Sequence, residues 1–363
     1  MREEIRRCLS DEIGDILDKI KGSDQIQEVR LRNGQPLWVR AGGRGFFPDA
    51  AGNAVLPEQG KIISKRDIKV TVSKLSAYSL YAFEEELCRG FLTIEGGHRV
   101  GFCGKAVMEG GRIKTLHQIS SLNIRVARQV FGCAEKILPF VQEGDRFLSS
   151  VLISPPGCGK TTLLREMIRC LSRSGITIGV ADERGEIAGM RDGLAQMELG
   201  PCTDIMYGCP KAQAMEMLLR SMSPEIIAAD ELGREEEYEA VEAMVHGGVE
   251  ILCTMHGSSM EDILRRKLPC HMARQGMLKR YIFLSADRGA GIVERILDER
   301  GTVLFQRKEE TADVAAGSGN DFDFNDNNAQ RRFFCPAGEI SSGGFEGAGA
   351  GLRTAGKSHG LFV

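Results

Sequence analysis

Aromatic residues make up only 6% of this 363-residue chain, and neither sign of charge dominates: 47 Lys and Arg stand against 50 Asp and Glu, a net charge of -3. A strand-binding protein needs a basic groove with aromatic platforms for the bases, and this composition argues against one. The near balance of charge gives no global attraction to a membrane surface either. No apolar run approaches the roughly 20 residues that a bilayer-spanning helix requires. The first residues, Met1-Arg2-Glu3-Glu4-Ile5-Arg6-Arg7, mix acidic and basic side chains and do not read as a secretory signal, so a cytoplasmic location is expected. The eleven cysteines include no C-x-x-C pair and are odd in number. That fits small buried apolar side chains in a reducing compartment. Cys253 and His256 with Cys270 and His271 match no zinc spacing.

What the chain does have is a phosphate-binding signature. Val151-Leu152-Ile153-Ser154-Pro155-Pro156-Gly157-Cys158-Gly159-Lys160-Thr161-Thr162 is an apolar run, a turn and a Gly-Lys-Thr-Thr, followed at helical spacing by Leu163, Leu164, Met167, Ile168 and Leu171. A phosphate needs that order: a strand ends, backbone N–H groups curl around the anion, and the positive end of a helix faces it. Ser154 to Thr162 are therefore the expected nucleotide-binding residues, with Lys160 reaching the β/γ-phosphates and the Thr161 hydroxyl on Mg²⁺. Ser154 stands where the general pattern has its opening Gly. Cys158 sits at a helix N-terminus, which lowers a thiol pKa, so its modification would block the loop.

Before this segment the patterns are short and mixed. Ile5, Leu9, Ile13, Ile16, Leu17 and Ile20 recur every three or four residues, predicting one amphipathic helix over 1–20. Residues 27–32 and 36–40 alternate around Asn33-Gly34, and 91–94 and 98–102 flank Gly96-Gly97, predicting two hairpins separated by a helical stretch over 65–86. A small α+β domain is expected over 1–140. From about 148, apolar runs at 151–153, 176–181, 226–229, 249–253 and 281–284 alternate with helices. That is the mark of an α/β domain with a parallel sheet covered on both faces, over 141–308, closed by a hairpin around Arg300-Gly301. The segment from Pro201 to Pro210 receives no assignment. Residues 309–363 are rich in Gly, Ser, Ala, Asp and Asn without an apolar period, so a low-complexity, disordered tail is expected. The calcium-like start at Asp321 fails, with Asp326 where Gly is required and Arg332 where Glu is required.

Ligands of an open parallel sheet bind outside the carboxyl ends of its strands. The apolar runs there end in the phosphate loop, in Asp182-Glu183-Arg184-Gly185-Glu186, in Asp230-Glu231 and in Thr254-Met255-His256. Asp230 is placed to hold Mg²⁺ through its water shell, and Glu231 to orient or deprotonate the water that attacks the γ-phosphate. Asp182 and Glu183 either support the metal or the attacking water or pair with Arg184 or Arg191. His256 either senses the γ-phosphate or packs.

The order of Pro-Pro-Gly-Cys-Gly-Lys-Thr-Thr-Leu-Leu-Arg, Ala-Asp-Glu-Arg-Gly-Glu-Ile, Ile-Ile-Ala-Ala-Asp-Glu-Leu-Gly-Arg and Cys-Thr-Met-His-Gly resembles the RecA-like ATPases of type II and type IV secretion and pilus machines. With Glu28 to Arg32, Gly90 to Gly101 and Ile119 to Arg125 added, the chain over about 25–305 is more closely similar to the stage III sporulation AA family of endospore-forming bacteria. The resemblance implies a RecA-like P-loop core and a cytoplasmic, mother-cell motor ATPase. It would use ATP and Mg²⁺, work as a homo-hexameric ring, and lie peripherally at the membrane through proteins of the channel to the forespore. By resemblance Glu183, with Asp182, belongs to the Asp box, Glu231 is the catalytic glutamate, and His256 is the His box. Secretion ATPases usually carry Gly where this chain has Asp230. In a ring an arginine from a neighbouring subunit is best placed to neutralise the transferring phosphate, with Arg89, Arg99, Arg112, Arg125 and Arg128 as candidates. Two other functions remain open: a nucleic-acid-dependent ATPase, and a nucleotide-gated binding module with little hydrolysis.

Overall fold

The computed structural model describes residues 2–76, 88, 90–144, 146–285 and 291–307. Arg89, all of 77–87, which takes in the rest of the helical stretch expected over 65–86, and the whole of 309–363, with its calcium-like stretch, lie outside the described residues.

The N-terminal part is a seven-stranded antiparallel sheet with helices α1 (Glu3–Cys8), α2 (Asp11–Lys19) and α3 (Lys65–Leu75). Its strands are β1 (Ile26–Arg32), β2 (Trp38–Ala41), β3 (Arg44–Pro48), β4 (Ala54–Val55), β5 (Phe91–Ile94), β6 (His98–Glu109) and β7 (Arg112–Arg125), in the order β4-β3-β2-β1-β7-β6-β5. The two expected hairpins are β1–β2 and β5–β6. The expected single helix over 1–20 is instead two. Leu9 and Ser10 are extended, and α3 takes up the polar groups this break frees: Lys74 Nζ donates to the Leu9 carbonyl at 2.8 Å, and Ser10 Oγ to Asp67 Oδ1 at 2.9 Å. The apolar positions of that helix all remain buried, in one core with Val29, Val39, Val100 and Ile124.

The C-terminal part begins with a ribbon of β8 (Gln142–Glu143) and β9 (Arg146–Phe147) and continues as an eight-stranded sheet. The sheet is built from β10 (Ser150–Ser154), β11 (Ile178–Asp182), β12 (Thr203–Tyr207), β13 (Ile226–Ala229), β14 (Glu250–His256), β15 (Arg280–Leu284), β16 (Val293–Asp298) and β17 (Val303–Gln306). The order is β12-β11-β13-β14-β10-β15-β16-β17; all pairs from β12 to β15 are parallel, and the last two strands form the antiparallel closing hairpin. Strand β12 is the segment after Pro201 that received no assignment. It carries Asp204, and its side chains are half-buried or, at Tyr207, exposed, as in an edge strand, so it shows no continuous apolar run.

Because side chains alternate along a strand, each β-strand feeds two cores. Val151 and Ile153 enter the core shared with helices α5 (Lys211–Met222), α6 (Glu235–His246), α7 (Met260–Arg265) and α8 (Lys267–Arg274). Leu152, Val180, Ala228 and Leu252 enter the other, against Leu164, Met167 and Ile168 of the helix that follows the phosphate loop. The two sheets meet at short backbone approaches. The Gly96 N–H donates to Gln196 Oε1 at 3.1 Å, and the Gly189 Cα–H side faces Gly97 so closely that a Cβ there would lie 3.0 Å from the Gly97 Cα. Gln129 and Glu198 exchange a pair of hydrogen bonds at 2.7 and 3.0 Å.

His98 anchors the turn that makes this approach. It is fully buried, and its Nδ1 accepts the Ala127 N–H at 3.0 Å. Burial pushes the imidazole down to about 4. Between that value and the ordinary 6.5 the unfolded chain binds the extra proton, so this contribution to stability is complete above pH 6.5 and is lost as pH falls toward 4. Urea unfolding at pH 7 and pH 5 should differ by about 2 kcal/mol from this group. His98→Asn, which keeps an acceptor near the same place, should shrink that difference; an unchanged pH slope would show that His98 does not cause it.

Candidate nucleotide site at the carboxyl edge of the parallel sheet

Strand β10 delivers the loop Pro155 to Gly159 and then α4 (Lys160–Arg173). Gly157 and Gly159 have φ of 81° and 89°, the left-handed backbone that side chains avoid and a phosphate cradle uses. Ser154 is not among the positive-φ residues: it lies within β10, buried, with its Oγ donating to the Pro155 carbonyl at 2.9 Å. A serine therefore meets no backbone strain where the general motif has glycine. Lys160 is 5% exposed, and its Nζ donates to the carbonyls of Ser154 at 3.0 Å and Pro155 at 3.1 Å. Burial pushes Lys160 below the usual lysine range, and the charges of Asp230 and Glu231 oppose that shift.

Alternation along the strands also sorts the polar residues that follow them. Asp182, Asp230 and Thr254 each lie two residues beyond an apolar side chain of the core under α4 (Val180, Ala228 and Leu252), so all three belong to the α4 side. There the Thr161 hydroxyl donates to Asp230 Oδ2 at 2.6 Å, and the Thr254 hydroxyl donates to Asp230 Oδ1. Two hard oxygens, Thr161 Oγ1 and an Asp230 carboxylate oxygen, thus converge beside the loop, a donor set that suits Mg²⁺ completed by phosphate oxygens and water. Among the described residues no group of three or more His, Cys, Asp and Glu side chains forms a ready-made metal cage.

His256, opposite Ser154 in the parallel register, joins the loop to the acidic strand end. Its Nδ1 lies 3.1 Å from Lys160 Nζ and its Nε2 3.2 Å from Glu231 Oε1. With the lysine donating to Nδ1, the ring proton sits on Nε2 and points to the carboxylate. Arg184 Nη1 approaches the other Glu231 oxygen at 3.4 Å. Lys160, His256, Glu231 and Arg184 thus form one continuous polar chain. Glu231 itself has φ of 50°, a left-handed conformation that costs a non-glycine residue about 1–3 kcal/mol and persists only where neighbours hold it.

The remaining carboxylates behave differently. Asp182 is 3% exposed and spends both oxygens on the backbone N–H groups of Glu186, Ile187 and Ala188, at 2.8 to 3.2 Å. Burial pushes its carboxyl above the usual range, against the pull of those amides. It pairs with neither Arg184 nor Arg191; it shapes the loop that follows it. Glu183 lines the same pocket as Asp230, Glu231 and His256, 3.7 Å from Arg234. Three residues without a role in the sequence reading also shape the site. Thr254 bridges Asp230 and Glu231. Lys211 lies under the Glu231 carbonyl. Arg165, buried on α4, donates to the carbonyls of Arg128, Glu186 and Ile187 at 2.7 to 2.9 Å. Arg165 closes the quoted phosphate-loop motif and Thr254 lies in the quoted Cys-Thr-Met-His-Gly, so both had a visible sign; a lone Lys carries none.

Of the arginines considered for a neighbouring subunit, Arg99 pairs with Glu186 of its own chain and stacks on Phe91. Arg128 donates to the carbonyls of Asp24 and Ile26. Arg112 and Arg125 are exposed.

Comparison with known proteins bears on the family and the fold. The sequence profile of the family described as sporulation stage III, protein AA matches residues 1–304. Stage III sporulation protein AA of Bacillus subtilis (strain 168) is 38% identical over 309 residues, 83% of this chain and 96% of that protein. The uncharacterized protein ycf45 of Porphyra purpurea is 29% identical over 227 residues, 55% of this chain and 40% of that one. Among solved structures, the ATPase DotB of Yersinia pseudotuberculosis superposes with a TM-score of 0.50 at 13% identity, covering 80% of this chain and 78% of that chain; this likeness concerns the fold.

Asp182→Asn leaves one acceptor oxygen and turns an NH₂ toward three amides. It should cost about 1–3 kcal/mol in urea unfolding. Unchanged stability would show that the cradle does not depend on the carboxylate.

Proposed function

The chain belongs to the stage III sporulation protein AA family, and on that premise we propose that it is an ATP-hydrolysing motor of the secretion-ATPase type. The observation that carries this proposal is the polar chain from Lys160 through His256 to Glu231, beside the Thr161–Asp230 pair, on one edge of the sheet. The residues from Ser154 to Thr162 would wrap the phosphates of ATP, with the α4 N-terminus and Lys160 facing their charge. Mg²⁺, held by Thr161 and through water by Asp230, would neutralise charge on the β- and γ-oxygens.

Glu231 then orients a water and accepts its proton as the water oxygen bonds to the γ-phosphorus and the bond to the β-phosphate oxygen breaks, giving ADP and inorganic phosphate. His256, donating from Nε2 to Glu231 and accepting from Lys160 at Nδ1, links the base to the lysine that faces the departing phosphate. Glu183 and Arg234 border the same pocket and would hold the water side of the site.

In this proposal 1–140 and 141–308 are separate units that shift against each other through the turnover cycle. The ring is homo-hexameric, and exposed Arg112 or Arg125 serves a neighbour's phosphate. Membrane proteins of the channel between mother cell and forespore receive the motion. Among the described residues no helix is long and apolar enough to cross a membrane.

Steady-state phosphate release with Mg²⁺ and ATP tests the proposal. Glu231→Gln should lower the rate by about 10²–10⁴-fold while a fluorescent ATP analogue still binds. Single-stranded DNA or RNA should leave the wild-type rate unchanged. Equal, negligible rates for both proteins would make the chain a nucleotide-gated binding module, and stimulation by nucleic acid would make it a strand-dependent enzyme.

A further inference from the structure

The left-handed backbone of Glu231 is held from both sides of the residue. Its N–H donates to Thr254 Oγ1 at 2.8 Å, and its carbonyl accepts from Lys211 Nζ at 2.7 Å. Lys211 is the first residue of α5 and is 7% exposed. Its ammonium is 3.4 Å from Glu237 Oε1, on the neighbouring helix α6. Glu237 is buried as well, and its other oxygen accepts the N–H groups of Gly233 at 2.7 Å and Arg234 at 3.1 Å. The Leu232 N–H donates to the Thr254 carbonyl at 3.0 Å. Every residue from Glu231 to Arg234 is thereby tied by its backbone to β14, α5 or α6.

A buried lysine and a buried glutamate give up much of their hydration, and side chains of that kind are retained where they fix a particular geometry. Here the ion pair lies outside the phosphate loop, and its ammonium takes up one backbone carbonyl, that of Glu231. We propose that Lys211, neutralised by Glu237, is a positioning residue for Glu231. Without the ammonium, the carbonyl loses its donor, the strained peptide relaxes toward negative φ, and the Cα–Cβ bond swings the carboxylate away from His256 and Arg184. Thr254 holds the N–H groups of Glu231 and Leu232, on either side of the carbonyl, and Lys211 supplies the donor of the carbonyl itself. The effect would fall on the water-activating group and spare the residues that bind phosphate. The kinetic part of this inference rests on the ATPase reading above.

Two measurements on the full chain test it together. In Lys211→Met, kcat should fall about tenfold or more, as misplacement of a reacting group does, while the affinity for a fluorescent ATP analogue stays unchanged. Lys211→Arg, which can donate to both partners, should recover part of the loss. A fall in affinity that matches the fall in kcat, or an unchanged kcat, overturns the positioning role.

The second measurement needs no turnover. Glu231→Gly should raise the unfolding midpoint of the wild type, since glycine takes φ of 50° without strain. The same change in Lys211→Met should gain less, because that backbone has already relaxed. Additive effects overturn the clamp whatever the kinetics show. If the wild type does not hydrolyse ATP, the ATPase proposal fails by itself, and the stability cycle still decides whether Lys211 holds Glu231. Should Lys211→Met not fold, Glu237→Gln weakens the same clamp from its other end and takes its place in both measurements.

Discussion

The parallel register of β10 against β14, with Ser154 opposite His256, is the constraint on which the site depends. It places the imidazole within reach of Lys160 at the end of the loop. The neighbouring register of β13 against β14 puts Ala229 opposite Cys253, so that Asp230 and Thr254 emerge side by side. A slip of one residue in either pairing would turn these groups to the opposite face, where α5 to α8 pack, and would bury apolar side chains against α4 in the wrong order. The two apolar cores forbid that slip. Packing of Leu152, Val180, Ala228 and Leu252 under α4 is thus what holds the polar edge in register.

The same edge is tied to the N-terminal sheet through the loop that Asp182 shapes. Glu186 gives its N–H to Asp182, its carbonyl to Arg165 on α4 and its carboxylate to Arg99 on β6. The same segment carries Glu183 and Arg184, both on the wall of the pocket that Asp230, Glu231 and His256 also line. Deeper in α4, Glu166 is fully buried. Burial opposes its charge, yet a two-pronged pair with Arg169 and the Gly132 N–H hold its carboxyl below the usual range. That cluster fixes the connection between the two sheets to the back of the phosphate-loop helix.

Much of this was legible in the sequence because it is periodic or local. Buried parallel strands are short apolar runs, so β10, β11, β13, β14 and β15 announce themselves, and the residues that end β11, β13 and β14 line the pocket. The helix break at Leu9-Ser10 was not legible, since its cause lies some sixty residues away in α3, at Asp67 and Lys74. Strand β12 escaped because an edge strand is half exposed and loses its apolar signature. Asp182 shows a different limit: its position at a strand end is readable, but only the folded loop shows that its oxygens are committed to backbone amides. Lys211 and Thr254 act on Glu231 by touching its main chain, and no residue pattern marks such a contact.

The proposed function requires loop, metal donors and catalytic carboxylate to form one site around the phosphates of ATP. The structure of the full chain with Mg²⁺ and a non-hydrolysable ATP analogue tests it most directly. The expected result has the β- and γ-phosphates inside the loop from Pro155 to Lys160, the Thr161 hydroxyl on the metal, Asp230 hydrogen-bonded to the metal's waters, and Glu231 facing a water in line with the γ-phosphorus. A nucleotide bound elsewhere, or Thr161 and Asp230 still bonded to each other with the metal away from both, would contradict it.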